Sequence, residues 1–160
     1  MKLSVTRDSL HTGMGAVSAT IPSKTTLPVL SNILLEARDG KLTLSGTDLD
    51  ISVSVSIEAE VETEGSVTVP AKKFAEIARE LPAAPVHIVA DGVEIRIESG
   101  KSRFKLFGLP TEEFPTFPEV DSGDSWTMQA SDLHELISKT SFAVSSEESR
   151  PILNGVLWQL

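Results

Sequence analysis

Three histidines, a close pair of aspartates and a short glycine pattern are the residues whose types could support catalysis. His11, His87 and His134 are the only imidazoles in the chain. Asp48 and Asp50 stand two residues apart. On a strand that spacing puts both carboxylates on one face, as metal binding or acid–base work requires. With His87 they would make a small hydrolytic set. The competing role for Asp48-Leu49-Asp50 is a turn between two strands, since aspartate readily hydrogen-bonds its own following backbone. Gly13-Met14-Gly15 lies inside a helical pattern and lacks the rest of a dinucleotide fingerprint. The chain has no cysteine, which removes a thiol nucleophile, a disulfide and any thiolate metal site. No nucleophile, base and orienting group stand out together. The sequence therefore reads as non-catalytic, with no metal site and no cofactor.

Charge narrows the classes further. The 160 residues carry 14 Lys+Arg against 23 Asp+Glu, a formal net charge of −9. A domain held to nucleic acid by bulk electrostatics usually carries a basic excess. Aromatics are 5% of the chain and tyrosine is absent, so a base-stacking platform is excluded. The N-terminus, Met1 to Arg7, is broken by charge before any signal-peptide core forms. No apolar run approaches the roughly 20 residues of a membrane helix. These features predict a cytoplasmic protein that does not enter a membrane.

The elements that must position any functional group are mostly strands. Leu3 and Val5 alternate with polar residues, as do Ile51, Val53, Val55 and Ile57. Asp39-Gly40 and Asp91-Gly92 are hairpin turn signals. Two apolar stripes of helical spacing predict core-facing helices. The first begins near Asp8, read as its N-cap, and carries Leu10, Met14, Val17 and Ile21. The second begins at Pro70, carries Phe74, Ile77, Ala78 and Leu81, and stops at Pro82. Strand, helix and three strands thus occur over 2–60 and again over 66–107. Two such halves can pack both helices on one continuous layer of strands. Residues 108–124, with three prolines, five acids and no Lys or Arg, read as a linker, and Phe114 and Phe117 as its contacts with a surface.

Beyond the linker the chain repeats itself. Residue n set against n+123 aligns 2–37 with 125–160, with seven identities in 36 positions. Chance gives about two or three. Leu3 and Val5 answer to Trp126 and Met128, and His11 to His134. A catalytic histidine has no reason to recur at a repeat offset, so both are read as structural or surface groups. The second copy stops at Leu160 in the middle of its expected second strand. This reads as the front of a longer protein, or as a fragment of one.

Four segments carry a resemblance. They are Thr26-Leu27-Pro28-Val29-Leu30-Ser31-Asn32, Lys41 to Asp50, Val69-Pro70-Ala71-Lys72-Lys73-Phe74, and Gly100-Lys101-Ser102-Arg103-Phe104. In that order they closely resemble the bacterial DNA polymerase III beta subunit family, the sliding clamps. The resemblance implies an α+β DNA-clamp fold: duplicated strand-helix-three-strand halves, with two helices on one face of a curved antiparallel sheet. It implies a first clamp domain over 1–124, including the linker 108–124, and a truncated second over 125–160. It implies a processivity factor that encircles duplex DNA and closes as a head-to-tail homodimer. Its partners would be the DNA polymerase III catalytic subunit and the clamp loader. Helices line the hole in that family, which makes Lys24, Lys72, Lys73 and Arg79 candidate DNA contacts. Without the resemblance, the last three are simply the solvated face of a helix. The strand from Lys101 to Phe107 would be a subunit-facing edge, with Lys101, Arg103 and Lys105 on one face and Phe104 and Leu106 on the other. Arg150 and Leu153 match part of the family's peptide pocket. The alternative is an interaction module of the same fold that never encircles DNA.

Overall fold

Alternation and turn chemistry shape the hairpins first. The computed structural model of the chain describes residues 1–22, 24–117, 125–147 and 149–159. Asp39 and Gly40 both take positive φ, 49° and 73°, and join β2 (Asn32–Arg38) to β3 (Lys41–Thr47). Two central residues of positive φ make the tight primed turn that matches strand twist. The second hairpin, β7 (Val86–Asp91) to β8 (Glu94–Ser99), turns one residue later than expected. Asp91 pairs with Glu94 in the ladder, and Gly92-Val93 forms the turn. Gly100-Lys101 makes a similar turn into β9 (Ser102–Phe107).

The remaining elements are β1 (Lys2–Val5), α1 (Arg7–Val17), β4 (Ser52–Glu58), β5 (Glu60–Thr63), β6 (Gly65–Pro70) and α2 (Ala71–Glu80), with α3 (Ala130–Thr140) after the first unit. The first half thus has one strand more than expected, the short β5. Helix starts differ slightly from the sequence reading. Thr6, extended at φ −76° and ψ 147°, is the N-cap of α1, and its hydroxyl accepts from the Ser9 N–H. Asp8 sits in the first turn, where its charge suits the positive end of the helix. Pro70 is still in β6 and caps α2 from outside, because its ring fixes φ without supplying an N–H. Helix α1 ends at Val17, and a 3-10 turn over Ser18–Thr20 carries the chain to half-buried Ile21.

The strands form two antiparallel sheets, where one continuous layer was expected. Their orders are β4-β3-β2-β6 and β5-β1-β7-β8-β9. Each half gives its opening strand to the other. β1 pairs with β7, Leu3 opposite Ile88, and β6 pairs with β2, Ile33 opposite Val69. Periodicity identifies strands but carries no information on which strand is the neighbour. Both helices and the inner faces of both sheets share one core, including Leu10, Met14, Ile33, Leu44, Phe74 and Ile97. The α+β class stands.

The chain divides into two units, Met1–Pro118 and Glu119–Leu160. The first part of the expected linker is built into the first unit. Thr68 on β6 is fully buried, and its hydroxyl donates to the Leu109 carbonyl at 2.7 Å. It accepts from the Leu109 N–H at 2.7 Å and from Asn32 Nδ2 at 3.0 Å. One donor and two acceptor sites are thereby all used. Gly108 passes so close that a Cβ there would meet the Thr68 carbonyl oxygen at 1.7 Å. Phe114 is buried against Val29 and Leu30, with Phe117 half-buried beside them. Residues 118–124 of the expected linker lie outside the described residues.

In the second unit the repeat reappears at the same offset. α3 matches α1 end for end, and the turns at Ser141–Ala143 and Pro151–Leu153 match those at Ser18–Thr20 and Pro28–Ser31. The strands expected around Trp126 and Met128 and from Leu153 do not form among the described residues. A strand is stable only against a neighbour, and the described residues of this unit present none. No residue of α3 is buried, and Leu136 and Ile137 are about half exposed. Trp126 and Trp158 stack on each other at 5.7 Å, yet both remain largely exposed.

The seating of the 108–117 segment can be tested directly. Gly108→Ala and Thr68→Val should each destabilise the first unit by about 1–3 kcal/mol in urea unfolding, through a clash and through unpaired buried amide groups respectively. Unchanged midpoints would mean that the segment is not seated in solution. In hydrogen exchange, α3 amides should exchange about a hundredfold or more faster than those of Leu42 and Leu44, because short uncovered helices are marginal. Equal protection would contradict the exposed placement of α3.

Candidate functional site

The apolar face of α2 is fixed by Ala71, Phe74 and Ala78, all buried, and Leu81 follows into the core. That rotation leaves Lys72, Lys73, Glu76, Arg79 and Glu80 exposed. Lys72 and Lys73 lie in the first turn, which contains no acid. The unpaired N–H groups there carry about half a positive charge, so cations at this end cost stability and reinforce a positive potential. Lys73 Nζ reaches Glu76 Oε2 at 3.0 Å. The Glu76 carboxyl is held below its ordinary range, first by that hydrogen bond, then by the Lys73 charge, with smaller help from Lys72 and Arg79. Lys73 is therefore partly neutralised. Among the described residues Lys72, Arg79 and Lys24 form no ion pair.

The two helices pack against each other. Arg7 at the start of α1 donates to the Arg79 carbonyl at the end of α2, a long contact of 3.4 Å. They therefore run antiparallel. Lys24, exposed in the loop after α1, follows the helix end nearer to Lys72 and Lys73. Arg79 sits about two turns away, at the opposite end of α2. Lys72 and Lys73 thus belong to one end of α2 and Arg79 to the other.

β9 is the free edge of its sheet. Lys101 belongs to the preceding turn and not to the strand as expected, because Gly100 at φ 57° turns the chain there. Phe104 and Leu106 are half-buried and pack against the core, while Arg103 and Lys105 point outward. Like charges face each other across the ladder where Lys105 stands opposite Arg96. Glu94 resolves this by bridging both, at 2.7 Å to Lys105 and 2.8 Å to Arg96. Its carboxyl is held below the usual range by those two hydrogen bonds, the one from Lys105 first. Arg103 lies a looser 3.6 Å from Glu98. The sequence reading missed Phe107, which is 60% exposed with Lys105 over its ring at 5.1 Å. The alternation that placed Lys105 outward places Phe107 on the same side, and that was the available signal.

In the second unit Arg150 and Leu153 share one turn, the Leu153 N–H donating to the Arg150 carbonyl at 3.0 Å. Leu153 is 47% exposed.

The hydrolytic set does not assemble. Asp48 Oδ1 accepts from the Asp50 and Ile51 N–H groups at 3.0 and 2.7 Å, so the carboxylate serves as a turn cap. The turn forces Leu49 to φ 82°. This turn joins β3 to β4 in one sheet, whereas His87 lies on β7 in the other, opposite Ser4 and Glu98. His11 and His134 are exposed on α1 and α3. Among the described residues no three His, Asp or Glu side chains gather as a metal site would need. No helix there is long and apolar enough to cross a membrane.

Comparison with known proteins gives one consistent result. The family profile described as "DNA polymerase III beta subunit, N-terminal domain" matches residues 1–118. The beta sliding clamp of Vibrio cholerae is 36% identical over all of this chain and 44% of its own length. That of Chlamydia muridarum is 36% identical over 98% of this chain and 43% of its own length. The crystal structure of the sliding clamp from Caulobacter crescentus superposes with a TM-score of 0.90 at 37% identity, covering 97% of this chain and 43% of that one. A clamp from Bartonella birtlesii gives 0.92 at 35% identity, over 97% of this chain and 42% of that one. This chain thus spans less than half the length of the relatives it matches. The likeness runs through both units, and on that ground the chain belongs to the DNA polymerase III beta subunit family, with residues 1–118 matching its N-terminal domain.

Proposed function

We propose that this chain is the N-terminal part of a non-catalytic sliding clamp that encircles duplex DNA and tethers a replicative polymerase. The observation that carries this reading, beside family membership, is the start of α2. Two lysines occupy the positive end of a helix, with no acid in its first turn, on a protein of net charge −9. Such an arrangement costs folding stability and attracts phosphate. A ring holds DNA by topology, so a few weak phosphate contacts suffice and a tight grip would prevent sliding. The acidic remainder limits adhesion elsewhere.

Lys24, Lys72, Lys73 and Arg79 are the proposed backbone contacts. Lys24 is a point charge and lacks the bidentate fork of arginine. The edge strand β9 is the proposed joint with a neighbouring subunit of a head-to-tail homodimer, with Phe104 and Leu106 covered there. Its outward charges discourage pairing with wrong strands. Residues 1–124 are proposed as the first domain with its linker, and 125–160 as the start of a second. Arg150 and Leu153 would form part of the pocket through which the polymerase catalytic subunit and the clamp loader dock. The cell interior, where DNA is replicated, is the proposed location.

The expected outcome of charge reversal is specific. In the full-length ring, Lys24→Glu, Lys72→Glu and Lys73→Glu together should shorten retention on a blocked-end duplex. They should also flatten its salt dependence, by about 0.9 in slope for each phosphate that is no longer neutralised. Base sequence should not matter, because phosphate contacts carry no sequence information. An unchanged slope with normal folding would show these lysines to be ordinary surface charges.

A further inference from the structure

A cavity of about 680 Å³ opens in the first unit where α1 begins and α2 has ended. Its walls come from the end of β1 and the first turn of α1, the bend between β4 and β5, and the loop from α2 to β7. Small apolar residues make up part of this lining: Ala59, Ala83, Ala84 and Pro85, beside Val5.

Three acidic residues border the same cavity, Asp8, Glu58 and Glu60, all exposed. The Asp8 side chain is 92% exposed. Glu60 Oε2 accepts from the Ser4 hydroxyl at 3.0 Å, which fixes that carboxylate at the wall. Among the described lining residues Arg7 is the one cation, and it balances only one of the three. Its Nη2 is turned to the Arg79 carbonyl, and its Nη1 stays 3.8 Å from Asp8. The site therefore joins small apolar residues to a rim where three carboxylates outnumber one cation.

We infer that this groove binds a basic, extended peptide segment of another protein. Lysine and arginine suit it because each carries an aliphatic stem beneath a charged head. The stem would lie over the alanines and Pro85, and the head would reach the carboxylates. Lys72 and Lys73 are at the other end of α2, so an occupied groove leaves them uncovered. The inference does not depend on the DNA-encircling reading.

The test is titration of the 160-residue chain with the peptide acetyl-Ala-Lys-Leu-Arg-Ala-Lys-amide, followed by amide chemical shifts. The expected result is saturable shifts confined to Ser4–Asp8, Glu58–Glu60 and Ala83–Ala84, weakening as salt is raised. Glu58→Gln with Glu60→Gln should lower affinity about five- to tenfold, and the side-chain amide introduced at position 60 still offers an acceptor to Ser4. Ala83→Trp, at an exposed position, should block binding while the remaining spectrum is unchanged. The proposal is overturned by an absence of shifts at millimolar peptide, or by shifts centred elsewhere. It is equally overturned if the glutamine pair binds as tightly as the parent chain, or if a control peptide with glutamates in place of the basic residues binds equally well.

Discussion

The exchange of opening strands between the two halves is the constraint on which the first unit depends. β1, with β5 beyond it, extends the sheet of β7, β8 and β9, and β6 completes that of β2, β3 and β4. Leu3 and Val5 are then buried opposite Ile88 and Val86, and Val67 and Val69 opposite Leu35 and Ile33. Neither half can close its own sheet, so the two fold as one cooperative body. Each helix follows an exchanged strand directly, and the exchange therefore also brings α1 and α2 side by side over the common core.

β6 has a second duty. Its Thr68 hydroxyl serves Asn32 on β2 and both backbone groups of Leu109. A buried hydroxyl with every site used is a rigid node, and its loss would strand amide groups without water. Through it the chain leaving β9 is pinned to the sheet of the first half, and Phe114 reaches Val29 and Leu30. Proline-rich composition here produces a bound strap, because its aromatic residues find an apolar surface beside the node.

Electrostatics separates the two candidate surfaces. On β8 and β9 the outward cations Arg96, Arg103 and Lys105 each meet a carboxylate, and Glu94 is shared between Arg96 and Lys105. Exposed pairs of this kind add little stability but set which strands can approach. At the start of α2 only Lys73 has an ion-pair partner among the described residues, and the helix end adds to the charge of Lys72. A local positive potential therefore survives on an acidic protein, at the place where an anion can be held without bulk attraction.

Much of this was legible in the residues themselves. The strands and turns followed from alternation and from Asp39-Gly40, because side-chain period and positive φ are local properties. The tandem repeat was legible as well, and α3 matches α1 end for end at the same offset. The exposed face of α2 followed from the stripe of Phe74 and Ala78. The turn at Asp48 was also legible, since its carboxylate caps the N–H groups two and three residues further along. Only tertiary structure decided which strands became neighbours, since ladder hydrogen bonds join backbones that look alike in every strand. It denied a strand to Trp126 and Met128, whose alternation is correct but which have no strand partner among the described residues. It also left Gly108 no room for a side chain, since its close passage by Thr68 arises between segments forty residues apart and leaves no mark on the sequence around either.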